Sequence, residues 1–212
     1  MRELKKIATL SVAISPSGAL SPGPLSAMAV TAGLTLGALG GLLLALGHMM
    51  VELPYILLLY ISVEKARKYL EKIKIPMNLI VSAFLIYFSY LLFKTSMQQN
   101  LLDINAHQAS VSTIEAISFG AILTGLNPYF LMWWVTVGYP LVNEASKNGT
   151  KGLAAMYGSH IWMDYAWLTF LAAAGGLASG ISLVVYRGLM LALAIVLLYF
   201  AARTLVDVYK AK

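Results

Sequence analysis

Residues 39–63 read LGGLLLALGHMMVELPYILLLYISV, a stretch in which His48 and Glu52 are the only acidic, basic or imidazole side chains. About 20 mostly apolar residues suffice to carry a helix across the hydrocarbon core of a bilayer. A carboxylate in mid-span costs about 2.5–3.5 kcal/mol on insertion scales, so it faces a cavity or a partner and marks an ion or substrate path. His48 lies four residues before Glu52, which stacks the two on one helix face. This stretch alone therefore predicts a membrane protein and a polar site inside it.

The rest of the chain agrees. Of its 212 residues 59% are hydrophobic and 11% charged, with a mean hydropathy of +0.77; soluble domains average about 45–50% and 25%. Apolar blocks fall at 7–32, 39–63, 76–98, 114–140, 153–178 and 182–205. The breaks are Gly33–Gly37, the charged run Glu64–Lys74, Gln98–Ser112, Asn143–Gly152 and Gly175–Gly180, and none is long enough for a second domain. With six spans, 13 of the 15 basic residues fall on one side, and only Lys94 and Arg187 on the other. Cytoplasmic loops are enriched in Lys and Arg, so both termini are expected in the cytoplasm of an inner-membrane protein. The net charge of +6 is then an orientation signal, and no nucleic-acid partner is expected. The basic start and the apolar run Ile7–Ile14 also fit a secretory signal, but residues 7–23 have a counterpart inside the chain, which argues against cleavage.

That counterpart belongs to an internal repeat. Ser21-Pro-Gly-Pro24 interrupts the first block and Leu126-Asn-Pro128 the fourth; Gly47-His-Met-Met-Val-Glu52 is matched by Ser159-His-Ile-Trp-Met-Asp164, and Tyr90/Lys94 by Tyr199/Arg203. A three-helix repeat crosses the membrane an odd number of times, so its copies must be inverted. The expected fold is an all-α membrane protein of six transmembrane helices: one repeat in 1–98, a connecting loop in 99–113 and a second repeat in 114–212. Helices 1 and 4 are interrupted, the plan of many secondary transporters. Lys94 and Arg203 read most simply as snorkelling anchors.

Proline removes a backbone donor and clashes with the preceding turn, so Pro16, Pro22 and Pro24 with Gly18 and Gly23 should divide the first block, and Asn127-Pro128 the fourth. Asn suits an N-cap and Pro the first helical position, so a half-helix should begin at each break, with amides free for a substrate carboxylate. A packing kink is the plainer reading of one such break, but two at matching positions point to a binding site formed by Ser21, Gly23, Pro24, Asn127 and Pro128. Trp134, His48 and His160 complete the expected substrate-binding set.

Among nine acidic residues only Glu52 and Asp164 lie near mid-span, each four residues after a histidine. The pairs could merely fasten helices together. Alternatively Glu52 and Asp164 couple transport to protons, or His48, Glu52, His160 and Asp164 bind a transition metal. Trp133, Trp162 and Trp167 suit interface belts, and Gly40, Gly41, Gly152 and Gly158 close helix contact. The chain has no cysteine, which removes thiolate metal sites and disulfides. It carries no P-loop, dinucleotide fingerprint, nucleophile elbow or zinc-peptidase motif, so neither an enzyme nor a bound cofactor is expected.

The Pro22-Gly-Pro24 motif, the glycine-rich Gly33–Gly41 stretch, the Gly47-His48 second helix, Asn127-Pro128 and Tyr199 together resemble the lysine exporter (LysE) superfamily of small amino-acid effluxers. The resemblance covers nearly the whole chain. It implies a dimeric six-helix exporter driven by proton motive force, with small or cationic amino acids as cargo. The two His/acid pairs depart from that pattern, and the wider superfamily resembles heavy-metal exporters too. The leading expectation is therefore a proton-coupled exporter of small amino acids, and the alternative an exporter of divalent transition-metal cations.

Overall fold

Proline and glycine set the helix boundaries in the first third of the chain. In the computed structural model, which describes residues 1–21, 23–97 and 111–210, α1 (Arg2–Ile14) gives way to a short α2 (Pro16–Ala19), and α3 (Pro24–Leu36) starts with Pro24 at its first position and Gly23 as an extended N-cap. Pro22 lies outside the described residues. The turn after α3 is made by Gly37 at φ +55°, a left-handed conformation that costs glycine nothing.

A second set of helices follows: α4 (Ala38–Ser96), α5 (Thr113–Gly125), α6 (Pro128–Thr136), α7 (Tyr139–Ser146), α8 (Gly149–Ile181) and α9 (Leu183–Lys210). A reciprocal capping box between Ser112 and Glu115 opens α5, an arrangement that contributes about 1 kcal/mol. Most of the expected loop 99–113 falls outside the described residues.

Two expected breaks are helical. The run Glu64–Lys74 is helical within α4, but non-helical Ser62 (φ −128°, ψ 26°) parts it from the span before it, so it still lies between two spans, Ala38–Ser62 and Asn78–Ser96. Gly175–Gly180 lies within α8, and the chain turns only at Ser182. By length and composition three helices among the described residues can cross a membrane, Ala38–Ser62, Asn78–Ser96 and Leu183–Lys210, and α5 with α6 makes a fourth span bent by 57°. The outer faces of these spans stay apolar and uncovered, with Leu58 66%, Ile61 78% and Ile195 60% exposed. In water such a surface would drive aggregation; a bilayer covers it.

Helices approach closely where glycine removes the side chain, as membrane packing requires. A Cβ on Gly47 would lie 2.0 Å from the Ile117 carbonyl oxygen and one on Gly120 2.2 Å from that of Leu44, so α4 and α5 touch backbone to backbone. Gly33 meets the Ala172 carbonyl in the same way and joins α3 to α8. Ser11 Oγ donates to the Met156 carbonyl at 2.8 Å, tying α1 to α8, and Ser89 Oγ donates to Ala194 at 2.8 Å, tying α4 to α9.

The start of α1 is pinned from outside these spans. Glu144 on α7 accepts from Lys6 Nζ at 2.8 Å and from Lys147 Nζ at 2.7 Å. Hydrogen bonds from Lys147 and Lys6 hold its carboxyl down to about 2, from an ordinary 4.5. A depressed carboxylate contributes stability above its unfolded pKa and loses it as pH falls through the folded value. The clamp should therefore be intact above pH 4.5 and fade towards pH 2. Both lysines are well exposed, so salt should screen it. Glu144→Gln should lower the thermal midpoint slightly at low salt and not at 1 M salt, read by a thermal-shift assay.

Candidate functional site

The close approach of α4 to α8, where a Cβ on Gly41 would meet the Leu168 carbonyl oxygen, brings four ionisable side chains from two helices into one place. His48 and Glu52 on α4 and His160 and Asp164 on α8 are all buried, at 6%, 1%, 2% and 6% exposure. They line one cavity of about 70 Å3 together with Ser21, Gly23, Thr124, Asn127, Phe130 and Trp134. One water needs about 10–15 Å3 of such space, so the cavity admits water or a cation with part of its hydration shell.

Glu52 is the hub. Its Oε1 accepts from Trp134 Nε1 at 3.1 Å and from His160 Nε2 at 3.2 Å. His48 Nε2 also lies 3.2 Å from Glu52 Oε1 and 3.9 Å from Asp164 Oδ1, and His160 Nε2 lies 3.3 Å from Asp164 Oδ2. His48, Glu52 and Asp164 each offer a ligand atom within 4.8 Å of the others. Three buried polar atoms of this group, His48 Nε2, Glu52 Oε2 and Asp164 Oδ2, have no hydrogen-bond partner among the described residues. Buried polar atoms are nearly always partnered, so an orphaned set on the wall of one cavity has room to bind water or an ion.

Each histidine is held from behind by a hydroxyl that sequence reading did not single out. His48 Nδ1 lies 2.9 Å from Thr124 Oγ1 and His160 Nδ1 2.6 Å from Ser15 Oγ. A signal for them exists: Ser15 and Thr124 are 109 residues apart, the spacing of Lys94 and Arg203. His160 is wedged between Trp133, stacked at 5.9 Å, and Trp134, edge-on at 4.8 Å. His48 meets the Phe130 ring edge-on at 5.4 Å. Trp133 is itself fixed by a 3.1 Å bond from Nε1 to Ser17 Oγ.

The two helix breaks reach the same cavity, through Gly23 and Asn127. Pro24 and Pro128 occupy the first positions of α3 and α6, as their fixed φ requires, and are buried outside the lining. The Asn127 side chain accepts from the amides of Tyr129 at 3.0 Å and Phe130 at 3.4 Å. Two of the donors expected to meet a substrate carboxylate are thus capped by the protein itself.

The LysE type translocator family matches residues 16–208, from the first helix break into the last turn of α9. The chain belongs to this family. A LysE type translocator moves its cargo across a membrane and is not an enzyme, in keeping with the lipid-suited outer faces of α4 and α9. Compared with curated proteins and with solved structures, the chain finds no match.

Proposed function

We propose that this LysE type translocator exports a divalent transition-metal cation, held between α4 and α8 by His48, Glu52 and Asp164. The observation that carries the reading is the convergence of these three side chains within 4.8 Å, with a donor atom of each left unpartnered. Two carboxylates beside neutral imidazoles carry two negative charges, which a dication balances. Imidazole with carboxylate, and no thiolate, suits borderline first-row ions such as Zn2+, Mn2+ or Co2+ rather than soft Cu(I). Protons compete for the same carboxylates, a chemical basis for exchanging the cation against protons. Six spans in two inverted repeats, 1–98 and 114–212, with both termini cytoplasmic in the inner membrane, complete the proposal. They are supported by the paired His–hydroxyl contacts, α4 to α5 and α8 to α1, and by the distribution of basic residues.

The expected result is that millimolar Zn2+, Mn2+ or Co2+ raises the thermal stability of the purified protein, by about 2.7 kcal/mol at a hundred times Kd. His48→Ala should remove the effect. A second reading, export of small amino acids, is favoured by the half-helix starts at Gly23 and Asn127 on the cavity wall. In it Ser21, Gly23, Pro24, Asn127, Pro128 and Trp134 hold the substrate, while Glu52 and Asp164 carry protons. Stabilisation by amino acids with none from divalent cations would decide for that reading.

A further inference from the structure

The sequence pairs His48 with His160 as equivalents, yet their hydrogen bonds make them chemically different. Thr124 Oγ1 lies 2.6 Å from the Gly120 carbonyl oxygen, an atom that only accepts, so the one hydroxyl hydrogen of Thr124 is spent there. Thr124 must then accept at its other contact, 2.9 Å from His48 Nδ1. His48 therefore carries a hydrogen on Nδ1, and its neutral ring, the form that binds a cation, turns the Nε2 lone pair to the cavity, where that atom lies 3.2 Å from Glu52 Oε1 and has no hydrogen-bond partner among the described residues. His160 is arranged the opposite way. Its Nε2 is hydrogen-bonded to Glu52 Oε1 at 3.2 Å, and a carboxylate only accepts, so the hydrogen is on Nε2. In the neutral ring Nδ1 is then left to accept from the Ser15 hydroxyl at 2.6 Å.

From this we infer that His48 is a metal ligand, with Thr124 as the residue that fixes its tautomer, and that His160 is a positioning residue that holds Glu52. Together with Trp134, His160 engages Glu52 Oε1 and leaves Oε2 for the cation. Its ring, wedged between Trp133 and Trp134, is placed for this task rather than for coordination. The inference rests on the proposed metal cargo and assigns it three protein ligands. Three ligands leave coordination positions to water, which suits an ion that has to be released.

The tautomers are tested without metal, by 15N NMR of histidine-labelled full-length protein in a His107→Gln background, which leaves two histidine signals. One Nδ1–H and one Nε2–H imidazole are expected, and two alike would overturn the inference. Coordination is tested by titrating Co2+ and following its visible spectrum. His48→Gln should lose the nitrogen-ligand signature. His160→Gln should keep it, with affinity about 10–100-fold weaker, as for other outer-shell partners of a metal site. Thr124→Val should weaken Co2+ binding by a similar factor and Thr124→Ser should restore it, which separates the hydrogen bond from packing. Equal loss of the signature in the two histidine variants overturns the inference and leaves the cargo reading standing. Absence of Co2+, Mn2+ and Zn2+ binding by the unaltered protein overturns the cargo reading and with it the ligand roles, while the NMR result still decides the tautomers.

Discussion

Glu52→Gln is expected to lower divalent-cation affinity roughly a thousandfold and to reduce flux in proteoliposomes to the level of protein-free vesicles. The magnitude follows from charge: a unit pair about 4 Å apart at an effective dielectric near 20 is worth about 4 kcal/mol, or nearly three decades. The fold should survive, because glutamine keeps a carbonyl oxygen that accepts from Trp134 and His160 as Oε1 does now. What changes is the other end, where the unpartnered Oε2 becomes an amide that presents hydrogens to the cation. Trp134→Phe is the informative contrast. It retains both carboxylates and removes one donor to Glu52, so about a 10–100-fold loss of affinity is expected. Calorimetric titration with Mn2+ or Zn2+, beside circular dichroism of both variants, reads the two effects separately. An unchanged Kd and unchanged flux in Glu52→Gln would remove Glu52 from the site altogether.

The buried polar cluster was legible in the sequence because a buried charge is expensive: nothing but function or pairing keeps Glu52 and Asp164 in apolar helices. The i, i+4 spacing gave their histidine partners. Proline and asparagine also kept their meaning, since α3 and α6 begin at Pro24 and Pro128 with Asn127 as a side-chain cap. Local signals failed where one residue type has two uses. Glu64–Lys74 reads as a loop by charge, yet Glu, Lys, Ala and Arg are good helix formers and α4 runs through them. Gly175 and Gly176 read as a break, but a Cβ on Gly175 would lie 2.2 Å from the Val30 carbonyl oxygen and one on Gly176 2.7 Å from that of Gly33. These glycines serve the contact of α8 with α3. Thr124 and Ser15 were missed because an isolated hydroxyl in an apolar helix usually bonds to its own preceding turn. Thr124 does so with Gly120, and only the fold reveals its second bond, to His48. On the tautomers proposed here the two histidines of the repeat are not equivalent, since repeat symmetry in sequence carries no information about where hydrogens sit.

The contact of α4 with α5 ties this hydrogen-bond arrangement to the packing of the whole protein, and Gly120→Ala should disturb both. A methyl at Gly120 would meet the Leu44 carbonyl oxygen at 2.2 Å and the Gly47 Cα at 3.1 Å. Both are backbone atoms that cannot rotate away, so the helices must separate. Overpacking of this kind costs about 1–3 kcal/mol, and with no flexible neighbour the upper part of the range is expected. In a chain of this size that lowers the thermal midpoint by about 2–4 °C per kcal/mol. The second consequence is chemical. Thr124 lies one turn beyond Gly120 and His48 one residue beyond Gly47, so separating the helices at the glycines lengthens the 2.9 Å bond from His48 Nδ1 to Thr124. Gly120→Ala should therefore weaken Co2+ binding as well as stability, although residue 120 does not line the cavity. Gly158→Ala on α8, where a Cβ meets nothing within 4 Å, is the control. It should be neutral or stabilising by up to about 1 kcal/mol, from helix propensity alone. Were Gly120→Ala as stable as Gly158→Ala, with unaltered Co2+ affinity, close backbone contact would not be what sets the His48 ligand in place.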